Sequence, residues 1–389
     1  MPNKTLEKWE EKTLGEVCTI TAGQSPESQF YNTEGKGLPF YQGKKEFTNK
    51  YIGDPTVWTT KITKEAFAGD ILMSVRAPVG PINYATQKCC IGRGLASIRK
   101  TEKISNDFLF YYLLSIQKEI GGHDGAVFNS ISRNEIATLK IKLPPLQEQQ
   151  GIVKILDEAF ENIDKAKQNA LQNLNNAKEL FESYLTSILI NKDNWDKKKL
   201  SDVAIDFGRG RSRHRPRNDK KLYGGQYPFI QTGDIRNSNH LITEYSQTYN
   251  EIGLAQSKLW PKGTLCITIA ANIAETGVLT FDACFPDSVI GCVFDETKTN
   301  IDYVEYLLQS FKAILQAEGK GSAQDNINLG TFEKYYFPFP NKAKQDEIVD
   351  KLNCMRTNIA KLEQVYEQKI KDLDELKQSI LQKAFNGEL

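Results

Sequence analysis

From residue 146 to residue 190 the chain has no proline and a single glycine, Gly151. Its apolar residues fall at Ile152, Leu156, Ala159, Ile163, Ala166, Ala170, Leu174, Ala177, Phe181, Tyr184 and Ile188. The steps run 4-3-4-3-4-4-3-4-3-4, a heptad seam with one stutter, and predict a long amphipathic helix. Shifted by 196, the seam returns at Ile348, Leu352, Met355, Ile359, Leu362, Tyr366, Ile370 and Leu373. Leu180 and Leu376 carry it onward, and Ile380 and Ala384 close the second copy. At 1.5 Å per residue such a helix is about 68 Å long. It cannot bury its stripe on its own globule, so each long helix needs a long partner, and the chain supplies one. Ahead of each helix the pattern changes to short β-rich runs, ILMSV (71–75) and LCITIA (265–270), bounded by Gly, Pro and Asn. The helix that reads well there spans 106–118 and returns at 301–316. These parts read as mixed α/β (α+β) globules.

The repeat covers the whole chain. WEEKTLGEV (9–17) matches WDKKKLSDV (195–203), and LPFYQG (38–43) matches YPFIQTGDI (227–235). AGDILMSVRAPVG (68–80) matches KGTLCITIAANIAETG (262–277), and NDFLFYYLLS (106–115) matches IDYVEYLLQS (301–310). LPPLQEQQGIVKIL (143–156) is echoed by FPFPNKAKQDEIVDKL (337–352). A period near 190 residues is too long for a solenoid and reads as tandem duplication. The expected blocks are a first globular domain over 1–145, a spacer helix over 146–191, a second globular domain over 192–341 and a second spacer helix over 342–389. The link NKDNW (191–195) is short, so economy of connection favours an antiparallel intramolecular coiled coil with pseudo-two-fold symmetry.

Composition narrows the function classes. A length of 389 residues implies two or three domains, and 25% charged with 40% hydrophobic residues is ordinary for a soluble globular protein. No apolar run reaches the ~20 residues of a membrane span, and MPNKTLEKWEEK lacks the apolar stretch of a signal peptide, so a cytoplasmic location is expected. Seven scattered cysteines without CxxC spacing read as free thiols of a reducing compartment. With only His123, His214 and His240, a histidine-based metal or catalytic site is not expected.

Catalytic motifs are few. FGRGRS (207–212) lacks dinucleotide or P-loop spacing, and LPPL (143–146) lacks the polar first and aromatic last residues of an amino-methyltransferase motif. PDSVIGCVFDETK (286–298) spells the skeleton of a metal-dependent nuclease, in which Asp287 and Glu296 would hold Mg²⁺ and Lys298 would orient water. Its partners in the first copy are Gly92, Thr101 and Lys103, so the carboxylates are absent there.

Binding features are richer. DFGRGRSRHRPRNDKK (206–221) places Arg209, Arg211, Arg213, Arg215 and Arg217 at alternate positions with a local charge of +5, in a chain whose net charge is +1. On an extended backbone all five guanidinia would project from one side, a comb suited to phosphates and guanine edges. The other aligned tips are polar or basic: YQGKKEF (41–47) against IQTGDIRNSN (230–239), SVRAPVG (74–80) against AANIAETG (270–277), and FNSISRN (128–134) against QDNINLG (324–330). The DNA-facing candidates besides the comb are therefore Gln42, Lys44, Lys45, Arg76, Arg93, Asn129, Ser130, Arg133, Gln231, Arg236, Asn237, Asn272 and Asn326.

Three segments taken together resemble the specificity subunit of type I restriction–modification systems: ILMSVRAPVGPINYATQKCCIGRGLASI (71–98), LPPLQEQQGIVKILD (143–157) and QSILQKAFNGEL (378–389). The resemblance implies two target-recognition domains on double-stranded DNA, each reading half of a split, asymmetric site. It implies helices that set the gap and dock two methyltransferase subunits, with nuclease/translocase subunits added for restriction. Gln149, Ile152, Leu156, Ile163, Gln345, Ile348, Leu352 and Ile359 are the residues assigned to these spacer and docking helices. Adenine-N6 methylation and cleavage, with S-adenosylmethionine, ATP and Mg²⁺, would belong to the partners; the chain itself needs no cofactor and is not an enzyme. The second copy reads AANIAETG where the first has RAPVG, so Arg76 has no direct counterpart. The competing readings are a coiled-coil scaffold whose heads bind proteins, and the metal-dependent nuclease above.

Overall fold

The computed structural model describes residues 9–121, 130–190, 194–238, 240–270, 273–320 and 327–389, the side chains of 318–320 excepted. The chain divides into two units, residues 1–171 with 367–389, and residues 172–366. This cuts across the four consecutive blocks read from the sequence. Each unit takes one globular head, the first part of the long helix that follows that head, and the last part of the other long helix. A helix that carries one apolar stripe belongs, at each point, with whatever covers the stripe there.

In the first unit a four-stranded antiparallel sheet has the order Cys18–Ala22, Leu95–Lys100, Ile71–Ser74, Ile82–Tyr84. A second sheet carries Tyr31–Asn32, Trp58–Thr59, Leu38–Tyr41, Cys89–Ile91 and Glu65–Ala66, with Leu38–Tyr41 parallel to Cys89–Ile91. Glu10–Thr13 pairs with Lys140–Leu143 and so closes the head on itself. The second unit repeats the central strands of this plan and adds His240–Ile242, parallel to Thr276–Leu279, at one edge. Ala204–Arg209, Val289–Phe294, Leu265–Thr268, Thr276–Leu279 and His240–Ile242 form one sheet, and Asp196–Lys198 pairs with Phe337–Phe339. Tyr223–Phe229 runs parallel to Ala283–Cys284, matching the parallel pair of the first head. The central register is conserved in full: Leu72 opposite Ser97 and Ser74 opposite Leu95 become Cys266 opposite Gly291 and Thr268 opposite Val289, each shifted by 194. Ile71, Leu72, Met73, Leu265, Cys266 and Ile267 are all buried, as expected of runs that read as continuously apolar.

The head helix expected at 106–118 ends at Ser115, and Gln117–Gly121 follows as a separate turn; its second copy is one helix, Ile301–Lys320. Ile116, at φ −94° and ψ 4°, leaves the helical region, and its N–H turns back to Leu114 and Tyr112.

The long helices span Leu146–Leu189 and Lys342–Asn386. In the first unit Lys167 meets Asp374 at 2.7 Å and Asp164 meets Lys377 at 3.3 Å, so numbers rise on one helix as they fall on the other. The pairing is antiparallel, with Ile152, Leu156, Phe160, Ile163, Leu381 and Ala384 in one core. In the second unit Arg356 lies over the Phe181 ring at 5.8 Å, and Leu185 and Leu189 share a core with Ile348, Val349 and Leu352. The expected seam needs one correction. Leu180, Leu362 and Leu376 are exposed, whereas Phe160 and Leu185, outside the seam, are buried. An unsupercoiled helix drifts by about 20° per heptad against a 3.5-residue repeat, and two helices alone cover only a narrow stripe.

Gln149 and Gln345 explain why the proline-led segment occurs twice. Both are buried, at 0% and 2% exposure. Gln149 Oε1 accepts from the Ser105 N–H at 2.8 Å while its Nε2 donates to the Pro144 carbonyl at 2.8 Å. Gln345 Oε1 accepts from the Asn300 N–H at 2.9 Å and its Nε2 donates to the Pro340 carbonyl at 2.8 Å. Ser105 and Asn300 are the N-caps of the head helices, accepting from Phe108 and from Asp302 and Tyr303. One amide thus ties the start of each long helix to the start of its head helix, within the packing rather than on a surface.

Candidate nucleic-acid interface

In the first head Gln42, Lys44, Arg76 and Arg93 line one cleft of about 250 Å³. Three of them come from strand ends, and Lys44 opens the short 3-10 turn Lys44–Glu46. Gln42 follows Leu38–Tyr41, Arg76 follows Ile71–Ser74, and Arg93 sits between Cys89–Ile91 and Leu95–Lys100. The Gly94 N–H donates to the Gln42 carbonyl at 3.1 Å, and a Cβ at Gly94 would lie 2.3 Å from that oxygen. Glycine there lets the two tips touch, which carries Arg93 to Gln42. Arg93 is further held by its backbone N–H on the Ser25 hydroxyl at 3.2 Å. Arg76 bridges Ser130 through the backbone, bringing a third candidate segment alongside. The side chains of Gln42, Lys44, Arg76 and Arg93 are exposed and have no hydrogen-bond or ion-pair partner among the described residues. Lys45 and Arg133 are exposed but outside the cleft, Arg133 opening the helix Arg133–Thr138. Asn129 lies outside the described residues, as do Asn272 and Asn326 of the second head.

The second head has a cleft of about 760 Å³ that overlaps the first only in part, since it draws heavily on 212–224, whose first-copy counterpart lines no part of the first cleft. Gln231, the counterpart of Gln42, lines it with Gln247, Arg217, Lys220 and Tyr223. Gln231 Nε2 donates to Gln247 Oε1 at 2.8 Å. Gln247 was not singled out by sequence reasoning; it lies on the strand Gln247–Tyr249, and only the pairing with Tyr223–Phe229 brings it to Gln231. Arg236 lines a different cleft of this unit, and Asn237 is exposed at the end of the helix Thr232–Asn237.

The five-arginine comb is not one row. Arg209, Arg211 and Arg213 are exposed while Gly210 and Ser212 are buried, as an extended segment requires, but the chain then turns at 214–218. Arg217 is ion-paired to Asp287 at 2.7 Å, Arg209 Nε donates to the Asp287 carbonyl at 2.6 Å, and Arg215 donates to the carbonyls of Ser212 and His214. A nearby carboxylate and unpaired carbonyls outcompete the extended row. Arg211 and Arg213 keep free guanidinia among the described residues. The turn is held by Asp219, whose carboxylate takes hydrogen bonds from His214 and from the Lys221 backbone N–H, holding its pKa down at about 2.

The nuclease-like letters do not converge. Asp287 and Glu296 flank opposite ends of the strand Val289–Phe294, which separates them by about 20 Å at the rise of a β-strand. Asp287 is taken by Arg217 and Lys298 pairs with Asp295 at 3.2 Å. Among the described residues no three His, Cys, Asp or Glu side chains are placed to hold a metal ion. Six of the seven cysteines are buried and all are free; burial pushes the Cys18 and Cys89 thiols up to about 12, away from nucleophilic thiolate. No described helix is long and apolar enough to cross a membrane.

The model of the type I restriction modification DNA specificity domain matches this chain twice, over residues 6–173 and 192–372. A putative type I restriction enzyme MjaX specificity subunit of Methanocaldococcus jannaschii is 46% identical over 185 residues, covering 46% of this chain and 43% of that protein. The EcoBI specificity subunit of Escherichia coli is 20% identical across 98% of this chain and 86% of its own length. This chain thus aligns with less than half of the first relative's length and with most of the second's. A chain from a structure of complex assembly and conformational transition in the type I R-M system superposes with TM-score 0.77 at 20% identity, covering both chains fully. The HsdS subunit of Thermoanaerobacter tengcongensis superposes with TM-score 0.61, also at 20% identity and over 100% and 99% of the two chains. These likenesses fix the fold. With the domain model matched over both halves of the chain and long helices paired antiparallel, the chain belongs to the family of type I restriction–modification DNA specificity proteins.

Proposed function

We propose that this chain is the sequence-reading subunit of a type I restriction–modification enzyme. Each head reads one half of a split, asymmetric double-stranded DNA site, and the paired helices set the gap. The observation that carries this is the pair of clefts. They meet at one shared position of a duplicated frame, Gln42 and Gln231, and are lined beyond it by different segments with different side chains. A homodimer would present identical tips and read a palindrome; divergent tips on one frame read two different half-sites.

The long helices are suited to docking methyltransferase subunits, because each leaves apolar side chains uncovered: Leu171 and Leu180 on the first, Leu362, Val365 and Leu376 on the second. Nuclease/translocase subunits would join for restriction. S-adenosylmethionine, ATP and Mg²⁺ would act on those partners, in adenine-N6 methylation and cleavage. The net charge of +1 supports weak DNA binding by the isolated chain and tight binding only in the assembly.

The test is to exchange the cleft-lining segments of one head and to sequence the methylated sites made by the assembled enzyme. One half of the motif should change while the other half and the gap stay as they were. An unchanged motif would overturn the proposal. Sequence-selective DNA binding that weakens with salt would also separate it from a scaffold whose heads bind proteins.

A further inference from the structure

The two clefts differ in the hydrogen-bonding groups they offer, and the difference has a direction. The first presents two guanidinia and an ammonium, those of Arg76, Arg93 and Lys44, with no carboxylate on its lining. Apart from Gln42 these groups only donate. In the major groove the base edge that only accepts, through two adjacent atoms, is guanine, with O6 and N7. Arginine matches that edge with two parallel bonds, provided the guanidinium is not already engaged inside the protein. Arg76 and Arg93 meet this condition: both are exposed and neither has a side-chain partner among the described residues.

The second cleft withdraws its arginine. Arg217 lines it, but its Nη2 is 2.7 and 2.8 Å from the two Asp287 carboxylate oxygens. The tip instead holds the linked amides of Gln231 and Gln247, 2.8 Å apart. Whichever amide donates in that bond, the pair keeps one carbonyl oxygen and one NH₂ group for an outside partner. An acceptor beside a donor complements adenine, whose major-groove edge carries the N6 donor and the N7 acceptor. The amide–amide bond also restricts two long, rotamer-rich side chains before DNA arrives, which lowers the entropy lost on binding.

We infer that Arg76 and Arg93 of the first head read guanine, and that the Gln231–Gln247 amide pair of the second head reads adenine. The inference rests on the reading of the heads as DNA-binding, and goes further by assigning residues and bases to each half-site.

The experiment uses the full chain in its assembled enzyme and selects bound duplexes from a randomised library, followed by sequencing. The wild-type motif should hold a guanine in the half-site governed by the first head and an adenine in the half governed by the second. Arg76→Ala or Arg93→Ala should lower the guanine preference at one position by about 10- to 100-fold and leave the other half unchanged. Gln247→Ala should relax one adenine in the other half, and Gln247→Glu, which replaces the amide by an acceptor, should turn preference there toward cytosine. Modified DNA tests the same contacts without touching the protein. 7-Deazaguanine or 7-deazaadenine at the assigned positions keeps base pairing but lacks the N7 acceptor, and should weaken binding about tenfold. A bipartite motif with no guanine under Arg76 and Arg93, or no adenine under Gln247, would overturn the base assignment and leave the proposed function standing. The absence of any selected motif would overturn both.

Discussion

The two heads share a backbone register and solve the same buried position differently. In the first, Asp70 sits at the turn before the central strand, 3% exposed. It accepts from Arg99 Nε and Nη2 at 2.7 and 2.8 Å, from the Ser97 hydroxyl at 2.8 Å and from the Phe67 N–H at 2.8 Å. In the second head the same register puts Thr264 at the turn, where its hydroxyl donates to the Pro261 carbonyl at 2.6 Å, and Val293 where Arg99 would be. The charge and its partner were replaced together. A buried carboxylate is tolerated only while its bonds are complete, so its neighbours cannot drift one at a time. The clefts hold no buried charge of this kind: the bonds they do hold, Gln231 to Gln247 and Arg217 to Asp287, lie at partly exposed side chains, so their linings are freer to differ.

This contrast can be broken by experiment. The largest effect is expected for Arg99→Ala, which strands the Asp70 carboxylate and should destabilise the first unit by about 3 kcal/mol. Solvent reaching the half-exposed Arg99 site holds the figure at the low end for a buried pair. Thr264→Ala, at the matched position, should cost about 1 kcal/mol. Urea denaturation of each variant, with hydrogen exchange to locate the loss, checks both, and equal losses would refute the contrast.

Gln149→Ala and Gln345→Ala sharpen it from the other side, since here the copies agree. Each leaves a buried cap N–H and a proline carbonyl without a partner and should cost about 2 kcal/mol in its own unit. Markedly unequal losses in the same denaturation series would show that the two locks are not equivalent.

A smaller change is expected of Asp287→Ala. It releases Arg217, and the assembled enzyme should bind nonspecific DNA more tightly, with a salt dependence steeper by about one unit of slope if the freed guanidinium finds a phosphate. Affinity measured from 50 to 200 mM salt reads this directly, and an unchanged slope would mean that Arg217 does not reach the DNA.

The smallest effect concerns pH. Asp219, held at about 2 by His214 and Lys221, has a folded pKa below its ordinary value of 3.8. Its contribution to the turn at 214–218 is therefore present above about pH 4 and is lost as pH falls through about 2. An NMR titration following His214 and Lys221 should move in that window, and Asp219→Asn should abolish the movement.

Much of this architecture was legible from residue pattern. The duplication, the mixed α/β heads and the antiparallel long helices all follow from periodicity and from the short link at 191–195, because apolar spacing at 3.5 and at 2 residues reports which face must be buried. The cleft of the first head was legible in part: Gln42, Lys44 and Arg76 lie in polar segments that follow apolar strands, whereas Arg93 joins them only through the contact of Gly94 with Gln42. What periodicity could not carry was competition. Nothing in DFGRGRSRHRPRNDKK says that Asp287, 70 residues beyond Arg217, takes that guanidinium, and Gln149 reads as a polar helix residue until its amide is seen closing on Ser105 and Pro144.

Sequence alone determined which faces are buried and that the unit occurs twice, since burial follows from local spacing. Only the tertiary structure decided which polar side chains remain available at the tips, because a hydrogen bond or ion pair is settled by groups distant in the chain that the fold brings within 3 Å. Gln231 acquired Gln247, Arg217 lost its freedom to Asp287, and Arg76 and Arg93 kept theirs.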